Sequence, residues 1–154
     1  MTDMTRPSPL PDGYEFSADT ARIDTGRVHR LLAEHTPWAE GRTLEAQRAI
    51  VAGSRNYGLY ARSREESGRG EQVAYARVVT DGVTFAWLAD VIVDPAHRGR
   101  RLGAALVDRI LEDLDPMGLK RIVLKASEAG RPLYERAGWT LLEGPDDWME
   151  LRSR

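Results

Sequence analysis

Hydrophobic positions along this chain change period several times, and each change predicts an element. Val28, Leu31, Leu32 and His35 recur on one helical stripe between Thr25 and His35, and Leu44 to Ala52 predicts a second, shorter helix. Tyr14 to Ala18 and Asn56 to Ala61 predict strands, while Ser63 to Glu71, charged and without an apolar period, predicts a loop. Gln72–Thr80 and Val83–Val93 are dense in Val, Tyr, Phe and Trp. Asp81-Gly82 between them is the pair typical of a type I′ hairpin turn. The second of these runs is apolar almost throughout, which predicts a central strand covered on both faces and interrupted only by Asp90. Leu102, Leu106, Ile110 and Leu114, with Gly103, Val107 and Leu111, give one apolar helical face that Pro116 and Gly118 end. Arg121 to Lys125 predicts a short strand, and a last helix stops at Gly138. Trp139–Leu142 and Trp148–Leu151 are expected as closing strands.

Antiparallel strands thus come first and strand–helix–strand crossovers follow. That order predicts a mixed α/β fold, with a central mixed, largely antiparallel sheet flanked by helices. A length of 154 residues suits one domain. Residues 1–13 are expected to form a flexible N-terminal arm and residues 14–154 a single domain.

Composition narrows the chemistry. Apolar residues make up 42% and charged residues 30%, and the net charge of −2 gives no global attraction to nucleic acid or anionic lipid. No cysteine is present, so disulfides, thiolate nucleophiles and Cys-ligated zinc are excluded. His29, His35 and His97 are too scattered for a spaced metal motif, and no metal is expected. The N-terminal residues lack the apolar core of a signal peptide, and no run approaches the ~18 apolar residues of a membrane span. The expected location is cytoplasmic.

The sharpest chemical signal is Asp94-Pro95-Ala96-His97-Arg98-Gly99-Arg100-Arg101-Leu102-Gly103-Ala104. A buried strand runs into a glycine-containing turn that opens a helix, which directs backbone N–H groups and the positive helix end at an anion. Arg98, Arg100 and Arg101 add charge suited to a polyanion. Walker-type binding needs Gly-Lys-Ser/Thr at the helix start, and a dinucleotide fold needs Gly-x-Gly-x-x-Gly; neither is present.

Arg98-Gly99-Arg100-Arg101-Leu102-Gly103 instead resembles the acyl-CoA pyrophosphate loop of the GNAT acyltransferase superfamily, Arg/Gln-x-x-Gly-x-Gly/Ala after a strand, with Arg101 at the middle glycine. Leu133-Tyr134-Glu135-Arg136-Ala137-Gly138-Trp139 is similar to the family's Leu/Phe-Tyr-Glu-x-x-Gly-Phe segment, and Gln72–Val79 to its third strand. Trp38–Arg42, Ala89–Val91 and Trp148–Glu150 resemble a small bacterial branch, so the likeness covers roughly residues 14–152.

The resemblance implies an N-acetyltransferase that moves an acetyl group from acetyl-CoA to a primary amine by direct attack in a ternary complex. In that implied site the backbone of Val91, Ile92 and Val93 holds the acetyl group and pantetheine. The loop from Arg98 through Gly99, Arg100, Arg101, Leu102 and Gly103 to Ala104 holds the pyrophosphate, and the Tyr134 phenol protonates the departing thiolate. Ser127 and Glu128 stand where relatives often place a side chain on CoA. An acyl-CoA-binding regulatory or sensor domain without efficient transfer is the alternative, and Arg101 is the residue that favours it. Asp90 reads either as a paired structural acid or as a catalytic base or amine-binding carboxylate. Trp38 and Arg42 read either as acceptor-substrate contacts or as anchors of the helix connection. Trp87, Trp139 and Trp148 are expected in the core. The partners implied are acetyl-CoA and an amine, without nucleic acid or membrane; a homodimer is allowed but not required.

Overall fold

The computed structural model of the chain describes residues 8–62 and 70–153. Its strands are β1 (Tyr14–Ser17), β2 (Arg55–Ala61), β3 (Glu71–Thr80), β4 (Phe85–Val93) and β5 (Arg121–Leu124). They lie side by side in chain order, β1 to β4 antiparallel and β5 parallel to β4. Helices α1 (Thr25–His35) and α2 (Leu44–Ala52) connect β1 to β2. Helix α3 (Leu102–Leu114) makes the crossover that a parallel strand pair requires, and α4 (Arg131–Ala137) follows β5. The mixed, largely antiparallel sheet flanked by helices is therefore present as the sequence predicts.

Local chemistry sets the helix starts. The Asp24 carboxylate accepts the Arg27 N–H at the head of α1, and the Thr43 hydroxyl accepts the Ala46 N–H at the head of α2. The buried stripe Val28, Leu31 and Leu32 packs with Tyr75 and Ile92 on one face of the sheet. On the other face, Leu102, Leu106, Ile110 and Leu114 of α3 pack with Leu59, Val78, Ala86 and Leu88. Each such fully buried side chain is worth ~1.5–3 kcal/mol, so the two stripes hold the helices in place against the sheet.

Several expectations change. The turn between β3 and β4 runs over residues 81–84 rather than the Asp81-Gly82 pair, because the Asp81 carboxylate accepts from Val83 N–H, Thr84 N–H and the Thr84 hydroxyl and holds both residues out of the ladder. β4 is not covered on both faces. Ala86 and Leu88 are buried, but Phe85 and Trp87 are 37% and 41% exposed, since α1 and α2 cover the other end of that face. Trp87 lies under the Arg77 guanidinium, 5.2 Å from ring centre to Arg77 Cζ.

Neither Trp139–Leu142 nor Trp148–Leu151 is a strand. Trp139 turns inward, packs on the core and donates its indole N–H to the Ile122 carbonyl at 2.9 Å. Gly144 then takes a left-handed φ of 63° and opens a short 3-10 turn over Pro145–Asp147, so the chain bends where a strand pair was expected. Trp148 is 38% exposed, outside the core assigned to it. The described part of the expected arm is docked rather than free: Ser8 N–H bonds the Asp108 carboxylate, Arg109 donates to the Ser8 carbonyl at 3.2 Å, and Leu10 packs on the core. Residues 1–7 and most of the predicted 63–71 loop lie outside the described residues. Among the described residues, no helix is long and apolar enough to cross a membrane.

Candidate active site

β4 carries a bulge at Asp90. Ala89 pairs with Arg77 and Ile92 with Tyr75, so Asp90 and Val91 together stand opposite Ala76. Asp90 has φ 53°, in the left-handed region that Asp tolerates better than most residues. The side-chain alternation slips by one at this point: Ala86 and Leu88 face α3 before it, Val91 and Val93 after it, and Ile92 joins the α1 cluster. The ladder to β5 ends at Leu88–Leu124, so residues 89–93 continue without a β5 partner. β5 itself ends at Leu124, so this side of β4 borders a gap, the wedge, with Val91, Ile92 and Val93 along one wall.

Asp90 is 6% exposed and lies among cations. Its Oδ2 accepts from Arg42 at 2.9 Å and Arg77 at 2.8 Å, and its Oδ1 from the Trp38 indole N–H at 3.0 Å. Burial raises the carboxyl's pKa, but the bonds from Arg42 and Arg77 outweigh it and hold the group below the ordinary carboxylate range. A carboxylate with both oxygens engaged and its proton affinity lowered is a poor general base. The arrangement favours the structural reading of Asp90 over the catalytic one, with the carboxylate as the knot that ties the α1–α2 connection to the bulge. Trp38 and Arg42 are brought to that same knot. Arg77 was not singled out by the sequence; the signal was a lone arginine in the otherwise apolar Gln72–Thr80 run.

The loop after β4 is built from turns that leave donors facing outward. Asp94 accepts from Ala96 N–H at 3.0 Å and pairs with Arg27 of α1 at 2.5 Å, which anchors a 3-10 turn at Pro95–His97. Gly99 then takes φ 82° and Arg101 takes φ 58°. Arg101 is the N-cap of α3 and makes no side-chain cap, so the first N–H groups of the helix and its positive dipole end stay open. Arg98 and Arg101 are exposed, and among the described residues their guanidiniums make no ion pair or hydrogen bond. Arg100 is committed elsewhere: it donates to the Tyr14 hydroxyl, which also meets His97 Nδ1 at 2.7 Å, so it ties the loop to β1. A left-handed residue other than glycine costs roughly 1–2 kcal/mol. Arg101→Gly should therefore raise folding stability by about 0.5–1 kcal/mol, after the glycine's greater unfolded-chain entropy is subtracted, as urea unfolding would measure. A loss of stability instead would mean that the Arg101 side chain makes a stabilising contact.

α4 brings Tyr134 towards this loop. A Cβ added at Gly103 would meet Leu133 Cδ2 at 3.5 Å and Val93 Cγ2 at 3.9 Å, so the helix start, the wall of the wedge and α4 converge there. Tyr134 packs edge-on against Trp139, with ring centres 5.8 Å apart, and its hydroxyl has no partner among the described residues. Burial pushes its phenol pKa up, so it is protonated at neutral pH. Ser127 is occupied: its hydroxyl accepts the Gly130 N–H at 3.1 Å and shapes the turn before α4. A groove of about 1040 Å³ runs along the free side of β5 to Lys125 and Tyr134 and does not reach the Arg98–Gly103 loop. Among the described residues, no group of three or more His, Asp or Glu side chains is placed to hold a metal.

Known proteins resemble this chain in sequence and fold. A sequence model of the acetyltransferase (GNAT) family matches residues 26–139. The chain is 30% identical to a Gibberella zeae protein named as a candidate acetyltransferase, over 83% of this chain and 80% of that one. It is 36% identical to a serotonin N-acetyltransferase 2 of Oryza sativa subsp. japonica, over 84% of this chain and 62% of the rice protein. A crystal structure of a Xanthomonas campestris protein assigned to the GNAT family superposes with TM-score 0.82 at 35% identity, covering 94% of this chain and 96% of that one.

Proposed function

Since the chain belongs to the GNAT acetyltransferase family, whose members use acetyl-CoA as co-substrate, we propose that it transfers the acetyl group directly to a primary amine within a ternary complex. The observation that carries this reading is the open start of α3 beside the end of β4 that β5 leaves uncovered. A pyrophosphate fits the exposed N–H groups of Leu102, Gly103 and Ala104 together with Arg98 and Arg101. From there the thioester arm reaches the wall at Val91–Val93, which has β3 on one side and no β5 partner on the other. Arg100 contributes by holding the loop, and Ser127 by shaping the approach to α4. Arg101 already adopts the backbone conformation that a glycine would supply, so its presence leaves the loop intact and removes the main support for a binding-only domain.

In the proposed reaction the amine nitrogen attacks the thioester carbonyl, the C–S bond breaks, the thiolate takes a proton from the Tyr134 hydroxyl, and the nitrogen loses a proton to water as the amide forms while solvent returns one to the phenolate. An amine of ordinary pKa is only ~1 part in 10³ neutral at pH 7, so a proton must leave it first. Asp90 is not that acceptor; a water in the wedge that passes the proton to solvent meets the requirement. Trp38, 53% exposed and fixed by Asp90, is the side chain that faces an incoming acceptor. The test is release of free CoA, with mass detection of the acetylated product, across a panel of amines. The rice relative's name places an arylalkylamine in that panel. Absence of product from any amine, with acetyl-CoA bound, would leave a binding domain.

Tyr134→Phe keeps the ring and removes one proton donor. Turnover should fall by ~10-fold or more while acetyl-CoA affinity changes little, since the lost interaction grows only as charge reaches sulfur. Parent-like turnover with chemistry rate-limiting would leave Tyr134 as a packing residue.

A further inference from the structure

The cluster around Asp90 does not balance. Arg42 and Arg77 both pair with this one carboxylate, so two positive charges and one negative leave a net +1. The side chains of Arg42, Arg77 and Asp90 are only 16%, 11% and 2% exposed. Among the described residues neither guanidinium has a second carboxylate within ion-pair distance, and the buried Tyr75 phenol alongside is within reach of these three charges and of no other. A surplus charge held largely out of water is costly unless a group of opposite sign meets it. Hydrogen-bond donors are in excess as well. Arg42 commits Nη1 to Asp90 and to the Gln47 Oε1, and Nη2 to Asp90. Arg77 uses Nε alone, 2.8 Å from Asp90 Oδ2, and its Nη1 and Nη2 have no acceptor among the described residues. Gln47 is fully buried, and its Nε2 is likewise without a partner among the described residues.

The unused edge of Arg77 lies beside the wedge. Arg77 starts on β3 opposite Ala89, yet its side chain bonds Asp90 and lies over the Trp87 ring, both on β4. The guanidinium therefore crosses onto β4 immediately before the wall formed by Val91–Val93. Its bond to Asp90 and its contact with the ring fix its plane, so the two remaining donors are presented as a preset fork. Trp87 on one side and Trp38 on the other, both partly open to solvent, give this place apolar surfaces that the chain leaves bare.

We propose that the acceptor is an amino acid whose carboxylate takes the free Nη1 and Nη2 of Arg77, whose apolar side chain lies against Trp38 and Trp87, and whose amine faces the wall at Val91–Val93. This inference rests on the acetyl-transfer reading above and names the acceptor for it. A carboxylate offers the two coplanar oxygens that a guanidinium edge matches, and its single negative charge cancels the surplus. A phosphate monoester, at about −1.5 to −2, overshoots that surplus. An amine without an acidic group leaves the charge and both donors unmet. The chemistry is the step already described: the neutral nitrogen gains the acetyl group and loses a proton, CoA leaves as the thiol, and the carboxylate is unchanged.

Phenylalanine and leucine, each set against its decarboxylated counterpart (phenethylamine and 3-methylbutylamine), isolate the carboxylate. In the parent chain kcat/KM should favour the acid of each pair by ~100-fold or more, because a site built to hydrogen-bond a group rejects the analogue that lacks it. Arg77→Lys keeps the charge and removes the fork, so it should reduce that ratio by ~10-fold or more. A mere folding defect would lower both members of a pair and leave the ratio where it was. Calorimetry on the CoA-loaded parent supplies a reading free of turnover: N-acetylphenylalanine should bind ~100-fold more tightly than its carboxamide. Acetylation of the plain amines as readily as the acids, or a ratio that Arg77→Lys leaves intact, overturns the carboxylate site and leaves acetyl transfer standing. Carboxylate-selective binding without turnover of any amine supports the site and removes the transfer reading instead. Equal binding of N-acetylphenylalanine and its carboxamide overturns the proposal whether or not Arg77→Lys folds.

Discussion

Asp90→Asn is expected to cost about 3–5 kcal/mol of folding stability at neutral pH, because it strands the Arg42 and Arg77 guanidiniums, both largely out of solvent, without a counter-charge. The Coulomb gain of such a cluster offsets a large desolvation cost, so removing one partner is far worse than removing the set. Pairing Asp90→Asn with Arg77→Met should therefore recover part of the loss, and a double-mutant cycle would read out the coupling. The acid dependence follows from the same bonds. Asp90 is depressed below its unfolded value, so its contribution is fully present above the ordinary carboxylate range near pH 4. It is lost as pH falls through the lower folded value. The variant should lack that part of the acid-unfolding limb. In the folded fraction turnover should stay near the parent's; a fall of ~10²–10⁴-fold there would restore Asp90 as the base.

Gly103→Glu should weaken acetyl-CoA binding by ~100-fold or more while the secondary structure remains. A carboxylate at the open start of α3 places negative charge where the pyrophosphate is proposed to lie, and it competes for the same N–H groups. Gly103→Ala is the control. Its Cβ would sit at ordinary contact distance, 3.5 Å from Leu133 Cδ2, so the fold has room for it. In the parent, a ligand at ~100 times its dissociation constant adds roughly 2.7 kcal/mol to stability, and the glutamate variant should show none of this shift. Equal acetyl-CoA affinity in parent and Gly103→Glu, by calorimetry, would put the phosphates elsewhere.

The elements whose partners lie nearby in the sequence were legible from periodicity alone. α1, α2, α3 and the β2–β4 meander end within a residue or two of their predicted limits, because each buries a stripe that the amino-acid pattern displays. The turn that opens α3 was legible for a different reason, since glycines and arginines before an apolar helix are a local arrangement. What local pattern cannot show is which distant group meets an unusual one. Asp90 was visible as a carboxylate in an apolar run, but its partners come from the α1–α2 connection and from β3. Only their convergence weighs brace against base. Arg101 departs from the family glycine as a side chain and keeps to it as a backbone conformation. The closing strands failed on the same ground: Met149 to Arg152 has a strand's alternation, yet alternation does not say which edge it will pair with.

The order of strands in the sheet also bears on how the molecule comes together. β2, β3 and β4 are joined through residues 62–70 and 81–84, whereas β1 and β5 each reach the sheet only after a helical excursion through residues 18–54 or 94–120. Short closures form early and long ones late, since the entropy of bringing distant segments together must be met before their contacts repay it. The central meander is thus the natural nucleus, and β5 docks after α3 has found the sheet. The wedge between β4 and β5 is assembled at that final seam. The side of the protein where ligand binding is proposed is consequently the last part to consolidate during folding and the first to open when native structure loosens.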